Sequence, residues 1–510
     1  MKINISVIPK NALLLVIVLI LFPIFAMAQS HNHWARSFNE ESSLLSGAVV
    51  GGGAGPSAIY YNPASISEIT GSKFSLSISL FSFDFYNSEN ALGEGIDLAS
   101  SGFSVEPRFI SLMINPKKHP RWSLEFAYLN NLNYHVDVTQ SVDKNLDILT
   151  NLPGEERYFA YFNFSNNSRD DWFGFGGSLK INPRLFLGAS MFVSVNSLGY
   201  LYTLDIEAFP LDSVFVNDDY IPFYSANYQE IENVEFRDYR LLWKFGLLYK
   251  KSRFSIGLNI TTPSIGGIYS DSKKVTHKSK QSNITMPETG EPLPNYVVVD
   301  SKEAKDVFVN SKSPFSLAAG FTYHSKNATK VFYSTVEYFG GLDPYPVVQA
   351  NENIDLAAGS VFKELDYNEW LTFIGGAKPV LNAAVGYRWH IKEQLMLLTG
   401  FRTDFNYRKD LDYKPYTENK IIKGLDLDNY HITGGLSWRI KGQDIMTGFQ
   451  YTIGREKNQK QIVNLSDPVE FNTTEMAPLQ GTRQNSMNTF FNSISFYFGA
   501  TFNFGGGNNN

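Results

Sequence analysis

Along most of this chain, apolar residues at one parity alternate with glycine, serine, asparagine or charge at the other, and such a period of two commits a segment to a β-sheet with two chemically different faces. The clearest case is Leu241, Trp243, Phe245, Leu247 and Tyr249, a short turn, then Phe254, Ile256, Leu258 and Ile260. Between them stand Lys244, Gly246, Ser255, Gly257 and Asn259. The same hairpin pattern recurs at 108–115 with 122–138, 171–182 with 184–205, 314–323 with 330–340, 379–390 with 394–406, and 430–440 with 444–455. A first strand at 73–86 and a last at 492–504 bring the count to fourteen. Short turns join the hairpin partners, whereas long links occupy 87–107, 139–170, 206–236, 263–313, 341–378, 407–429 and 456–491. An even strand count with short turns on one side and long loops on the other is the pattern of a bacterial outer-membrane barrel. A soluble β-sandwich or propeller would also alternate, but without seven consecutive long excursions at one end.

A barrel hides its apolar surface in every second residue, so a slightly negative mean hydropathy and the lack of a long apolar window after the N-terminus are compatible with membrane residence. Aromatic residues make up 15% of the chain, with 40 Phe and 28 Tyr, which suits lipid-facing strands and interfacial girdles. Residues 1–28 read as a cleaved secretory signal: Lys2 and Lys10, an apolar run from Ala12 to Phe25, then Ala26-Met27-Ala28. That run is 14 residues long and contains Pro23, short of the roughly 20 apolar residues a spanning helix needs. The chain has no cysteine, which removes disulfides, thiol nucleophiles and cysteine metal sites, and a net charge of −6 over 510 residues gives no footprint for nucleic acid. No cofactor or metal site is expected, since His31-x-His33 alone reads as a mobile mature N-terminus.

Apolar residues facing lipid leave the other parity for the lumen. Glu125, Lys180, Lys244, Asn382, Arg388, Arg402, Asp404, Arg439 and Gln450 are the lumen candidates, either as a structural ladder of charges and hydrogen bonds or as ligand contacts. Strand one slips phase, from Phe74, Leu76, Ile78 and Leu80 to Phe81, Phe83 and Phe85, as one inserted residue would cause. In strand three, Trp122, Leu124, Phe126 and Tyr128 set the lipid parity and Leu132, Tyr134 and Val136 are read as resuming it. Asn130 and Asn131 interrupt it, as a kink or as polar residues at the membrane surface. The last strand places Ile494, Phe496, Phe498, Ala500, Phe502 and Phe504 on one side.

Residues 29–72 do not alternate, and they contain Gly47, Gly51, Gly52, Gly53 and Gly55 before Tyr60-Tyr61-Asn62-Pro63-Ala64. Pro63 fixes its own φ and biases Asn62 to extended geometry, so the triplet makes a rigid turn, serving as plain punctuation or as part of a gate. With Ser46-Gly47-Ala48, the glycine stretch, the Asn-Pro-Ala turn and the terminal Tyr497-x-Gly499-x-x-Phe502-x-Phe504, the chain resembles the FadL-type outer-membrane transporters of long-chain fatty acids and other hydrophobic compounds. The resemblance implies a 14-stranded antiparallel transmembrane β-barrel (73–504) around an N-terminal plug, or hatch (29–72), followed by a polar tail (505–510). It also implies passive uptake of hydrophobic small molecules across the outer membrane, with Gly53, Gly55, Asn62, Pro63 and Ala64 in the plug and lateral exit through a break in strand three, here at Asn130 and Asn131. A monomer inserted in outer-membrane lipid by the barrel-assembly machinery is the expected form. Two other classes remain: a similar barrel serving as a protein-secretion accessory, and a barrel enzyme, for which His431 near Asp428 would be the starting point but no serine-centred motif accompanies it.

Overall fold

The computed structural model describes residues 32–116, 118–212, 214–216, 219–221, 224–285, 296–303, 307–350, 371–408, 420–440 and 443–504. The signal at 1–28 and the tail at 505–510 lie outside the described residues. Fourteen strands follow in order: β1 (Ser72–Glu89), β2 (Leu98–Ile114), β3 (Trp122–Leu146), β4 (Glu156–Lys180), β5 (Leu185–Pro210), β6 (Ala226–Lys251) and β7 (Phe254–Thr261). They continue as β8 (Ser316–His324), β9 (Lys330–Phe339), β10 (Val380–Lys392), β11 (Leu395–Asp404), β12 (Asn429–Ile440), β13 (Gln443–Gln459) and β14 (Met487–Phe504). Each pairs antiparallel with its neighbour, and β1 pairs with β14 from Ser72↔Phe504 upward, which closes the barrel. The outward parity is apolar and exposed at Trp122, Phe126, Phe173, Phe175, Phe245, Ile256, Phe496 and Phe498. A closed barrel with this belt leaves no backbone edge to solvate in hydrocarbon, so the chain is an outer-membrane protein of the Gram-negative type.

The strands are far from equal. β3 to β6 run 25 or 26 residues each, roughly 80 Å at about 3.3 Å per residue. An apolar band is only about 25 Å tall. The links expected at 139–170 and 206–236 are therefore largely strand, and part of 263–313 forms Ile265–Ser282, which pairs with the outer half of β6. Above the membrane the two faces exchange character. Tyr158, Ala160, Phe162, Tyr200, Tyr202, Leu204, Ile206, Val234 and Phe236 point inward and are buried against Phe373, Leu427, Leu465 and Phe471, while Arg157 and Asp143 pair on the exposed outside. The alternation never stopped; only its apolar face turned from lipid to a soluble core.

Two bulges adjust the phase. In β1 the register shifts between Ser79 and Phe81, after which Ser82 and Asp84 are buried and Phe81, Phe83 and Phe85 exposed, as the sequence pattern required. In β3 the register against β4 shifts between Asn130 and Leu132. This bulge overturns the expectation for the second half of the strand: Leu132, Tyr134 and Val136 do not resume the lipid face, since Leu132 lines an interior cavity and Tyr134 and Val136 turn inward and are 2% exposed. One extra residue flips every side chain beyond it.

The lumen is filled by residues 32–71, which form short helical turns at Glu40–Leu44, Gly55–Ser57, Ala58–Tyr61 and Pro63–Glu68. The wall meets their main chain with glycine. A Cβ on Gly257 would stand 1.8 Å from Val50 O, one on Gly320 2.2 Å from Gly51 N, and one on Gly188 2.3 Å from Pro63 C. Gly246, Gly386 and Gly400 likewise meet plug main chain, whereas Gly176, Gly435, Gly448 and Gly499 make room for the side chains of Ile59, Leu44 and Glu40, so β4 to β8 and β10 to β14 each contribute one glycine to a girdle around the plug. Several sit opposite each other in register, as Gly257↔Gly320 and Gly386↔Gly400. Gly320→Val should lower stability by about 1–3 kcal/mol through overpacking and expose residues 32–71 to protease in the detergent-solubilised protein. Gly199→Ala, where the nearest atom lies 3.9 Å away, should leave both the melting temperature and the digestion pattern unchanged.

Candidate functional site

The Asn62-Pro63-Ala64 turn is where the plug is bolted to the wall. Asn62 has extended geometry and its Oδ1 accepts from Ala64 N at 3.1 Å, capping the helical turn that Pro63 opens. Its Nδ2 donates to Val50 O within the plug (2.8 Å) and to Leu247 O of β6 (3.1 Å). One fully buried amide thus ties two plug segments to the barrel. Gly53, at φ 80°, donates its N–H to Glu68 Oε2 at 3.0 Å, and Gly55, at φ 53°, opens the next turn. Glu68 also pairs with Lys250, and Glu41 with Arg388 at 2.5 Å. These two latches line a vestibule of about 540 Å³ at the short-turn end, together with Gly53, Gly55 and Lys73.

The outer end of the plug is held by Asp404, Arg402 and Gln450, which the sequence pattern placed in the lumen, and by Glu337, which it did not. Asp404 Oδ1 accepts from Trp34 N at 2.9 Å, and its carbonyl accepts from Asn32 Nδ2 at 2.7 Å. Trp34 Nε1 donates to Glu337 Oε2 at 2.8 Å, and Arg402 Nη2 reaches Ala35 O and Gln450 Oε1 at 3.5 and 3.4 Å. Lys244 lies 4.3 Å above the Tyr60 ring and donates to Thr261 Oγ1. Arg439 and Lys180 depart from the expectation. Both sit at the end of a strand beyond the lumen, Lys180 exposed and Arg439 paired with Asp444 across the β12–β13 turn at 2.7 Å. His431 is fully buried, with Nδ1 2.8 Å from Thr452 Oγ1, and its carboxylate neighbour is Asp404, at 3.6 Å, rather than Asp428.

Asn130 and Asn131 form the bulge, and β4 holds it with adjacent carboxylates. Asn130 Nδ2 donates to Asp171 Oδ1 at 2.8 Å and Asn131 Nδ2 to Asp170 Oδ2 at 3.3 Å. At this height the β2–β3 ladder stops: its last pair is Phe109↔Leu129, although β2 continues to Leu98 along β1 and β3 continues to Leu146 along β4. Pro107, which has no N–H to give, lies two residues past that last pair. The stretch of β2 that pairs with β1 but not with β3 carries Phe103 on its lipid side, packed 5.8 and 5.2 Å from Phe81 and Phe83. Inside the barrel, a cavity of about 270 Å³ reaches this point; Asn131 and Leu132 line it, as do Asn32 and His33 of the plug.

Sequence reasoning missed the buried ion pair that lines that cavity. Asp170 and Arg240 pair at 2.9 Å with both side chains under 8% exposed. Asp170 also accepts from Trp172 Nε1 (2.7 Å) and Ser194 Oγ (2.5 Å). Trp172 in turn packs on Tyr60 and Phe192. The signal was present as isolated charges on the inward parity of β4 and β6, yet only the register β4–β5–β6 brings them together. His33 is stacked between Phe339 and Tyr407 at 4.1 and 4.3 Å, and burial pushes its imidazole down to about 3, so it is neutral at any physiological pH.

Glu40 is the titratable group buried deepest in the plug's first turn, beside Gly499 and receiving the Asn39 amide at 3.1 Å. Burial pushes its carboxyl up to about 7 from 4.5, the Ser77 hydroxyl opposes the rise, and the Glu41 charge adds to it. The packed plug therefore holds a proton that the unfolded chain has already lost between those values. The resulting stabilisation is complete below pH 4.5 and is lost as pH rises through 7. The melting temperature of the detergent-solubilised wild type should fall from pH 5 to pH 8 more steeply than that of Glu40→Gln; parallel curves would remove Glu40 from the account.

No protein-family model matches the sequence, and no curated protein matches it. Solved structures do. The toluene transporter TodX of Pseudomonas putida is 13% identical, with a TM-score of 0.53 over 91% of this chain and 98% of that one. A FadL homologue of Pseudomonas aeruginosa is also 13% identical, with a TM-score of 0.55 over 88% and 94%. The monoaromatic hydrocarbon channel CymD is 10% identical, with a TM-score of 0.50 over 91% and 97%. Taken with the closed barrel, the lumenal N-terminal segment and the Asn-Pro-Ala turn, these likenesses establish that the chain has the FadL-type outer-membrane fold.

Proposed function

We propose that this protein is a monomeric outer-membrane channel for the passive uptake of hydrophobic small molecules, and that they leave sideways between β2 and β3. The observation that carries the reading is the coincidence of three features at one height: the end of the β2–β3 ladder at Phe109 and Leu129, the bulge at Asn131, and an interior cavity that Asn131 itself lines. A solute taken up through the outer rim would rest in the cavity and pass Leu132 towards the lipid-facing cluster of Phe81, Phe83 and Phe103. Gating then belongs to the outer plug segment, whose Asn32 and His33 line the cavity, while the inner plug with Gly53, Gly55 and the Asn62-Pro63-Ala64 turn stays latched by Glu41 and Glu68. The neighbours that share this fold, a toluene transporter and a monoaromatic hydrocarbon channel among them, support the same class of cargo. Fatty acids fall within that class, and the terminal strand to Phe504 supplies the signal through which assembly machinery would insert the barrel.

The complete absence of cysteine makes a clean test possible. Asn131→Cys is placed in intact cells, and its own uptake of radiolabelled toluene, dodecanoate and 1-dodecanol before labelling is the reference. Reaction with a bulky maleimide should cut uptake of a transported solute at least fivefold, and the same reagent should leave the wild type untouched. Labelled Asn131→Cys that transports at full rate would refute lateral exit. Uptake of no hydrophobic solute above cells lacking the protein, together with loss of a secreted protein from the surface, would establish the secretion-accessory role instead.

A further inference from the structure

The cavity beside the bulge has a chemistry that neither a hydrocarbon nor a fatty-acid anion matches. One set of its lining residues is apolar, with Leu132, Leu198, Phe236, Val347 and Ile374. Another set of lining residues is uncharged and hydrogen-bonding, with Asn131, Asn166, Asn196, Ser168 and Ser311. The amides are already oriented: Asn166 Nδ2 donates to Lys423 O at 2.7 Å and Asn196 Nδ2 to Ser311 Oγ at 3.0 Å, which fixes each side chain while leaving further hydrogen-bonding capacity on both. A pure hydrocarbon would strip water from these groups and return nothing.

The charges in the cavity are spoken for as well. Arg240, the buried cation, is held by Asp170 at 2.9 Å and donates to Ser194 Oγ and Ser313 Oγ. Arg408 pairs with Asp426. Lys312 lies over the Tyr345 ring at 4.4 Å on the exposed rim, where its charge stays hydrated. A carboxylate entering the cavity would have to give up its own water beside Asp170 without gaining a buried partner.

Resting on the uptake reading above, we propose that the cargo is a neutral amphiphile, an apolar body carrying hydroxyl or carbonyl groups, whose polar end lodges among Asn131, Asn166 and Asn196 and whose apolar body lies along Leu132 towards the gap. The cavity, at about 270 Å³, exceeds the roughly 150 Å³ that accommodates benzene, so it holds a polar head and the first part of a chain. Discrimination follows the asymmetry of polar sites: those built to hydrogen-bond a hydroxyl reject the analogue that lacks it far more strongly than apolar pockets reject a missing methylene.

The test uses the full chain in nanodiscs and three solutes with the same chain length, radiolabelled 1-dodecanol, dodecanoate at pH 8 and dodecane, each corrected for binding to empty nanodiscs. The expected result is saturable binding of 1-dodecanol at least tenfold tighter than either of the others. Asn166→Leu with Asn196→Leu should reverse the order between alcohol and alkane, and the wild-type series alone decides the matter if that double variant fails to fold. Equal or tighter binding of dodecane or dodecanoate overturns the proposal, as does saturable binding of none, which would make the cavity a water-filled space only. In the Asn131→Cys cell assay, blocked uptake of all cargo on labelling combined with no preference for the alcohol sinks this inference alone, whereas unblocked uptake sinks the lateral route on which it rests.

Discussion

Main chain packed against glycine is the contact on which this molecule depends. A plug made of ordinary side chains would need a wider barrel or a shorter segment; here the wall withdraws to hydrogen atoms where Leu45, Val50, Gly51, Pro63 and Ala64 pass. That closeness brings an obligation, because each peptide group pressed against the wall must find a partner there. The small polar residues next to the glycines meet it: Ser255 Oγ donates to Gly51 O at 2.6 Å, Thr433 Oγ1 to Leu44 O at 2.8 Å and Ser190 Oγ to Ile59 O at 2.9 Å. Thr335 Oγ1 accepts from Val50 N at 3.3 Å. Gly, Ser, Thr and Asn on the inward parity are thus a negative of the plug's backbone, with glycine for contact and hydroxyl or amide for each orphaned group.

This explains how much of the architecture was readable. Period-two alternation locates strands wherever two faces differ, and Leu241 to Ile260 declared both faces at once. The plug was legible from the opposite sign, glycines without alternation, and Asn62-Pro63-Ala64 from elementary turn chemistry. What misled was the assumption that the apolar parity always faces lipid. In β3 to β6 the alternation persists above the membrane with its apolar face inward, so Tyr158, Phe162 and Phe236, read as parts of long links, belong instead to strands with a soluble core on their inner side. The same assumption hid the consequence of the Asn130–Asn131 interruption: Tyr134 and Val136 had the expected identity on the wrong side. Sequence pattern reports that two faces differ, and it takes the register to say which medium each one meets.

The cavity was hidden for a related reason. Asp170, Arg240, Asn166 and Asn196 are scattered over three strands, each unremarkable in its own alternation, and their meeting is a property of strand pairing alone. Arg388, Arg402 and Asp404, by contrast, were found because a charge among small residues on a lumen parity has few places to go; their role is to hold the plug at both ends. The two failures, Lys180 and Arg439, obeyed parity but not height, since the last residue of a strand on that parity lies past the lumen and in water.

Packing and exit route follow from one constraint. To open a path straight through, the plug would have to lift Val50, Gly51 and Pro63 away from Gly257, Gly320 and Gly188 and break the Asn62 amide contacts to Val50 and Leu247 together with the Arg388–Glu41 and Lys250–Glu68 pairs. Each separation leaves a peptide group facing a wall without side chains, where only entering water could restore its hydrogen bonds. The β2–β3 seam requires none of this, because its backbone bonds are already absent beyond Leu129 and Pro107 has no donor to satisfy. A barrel that grips its plug by the backbone favours the proposed release of cargo through the side, at the seam where the β2–β3 pairing ends and the bulge at Asn131 is pinned by Asp170 and Asp171.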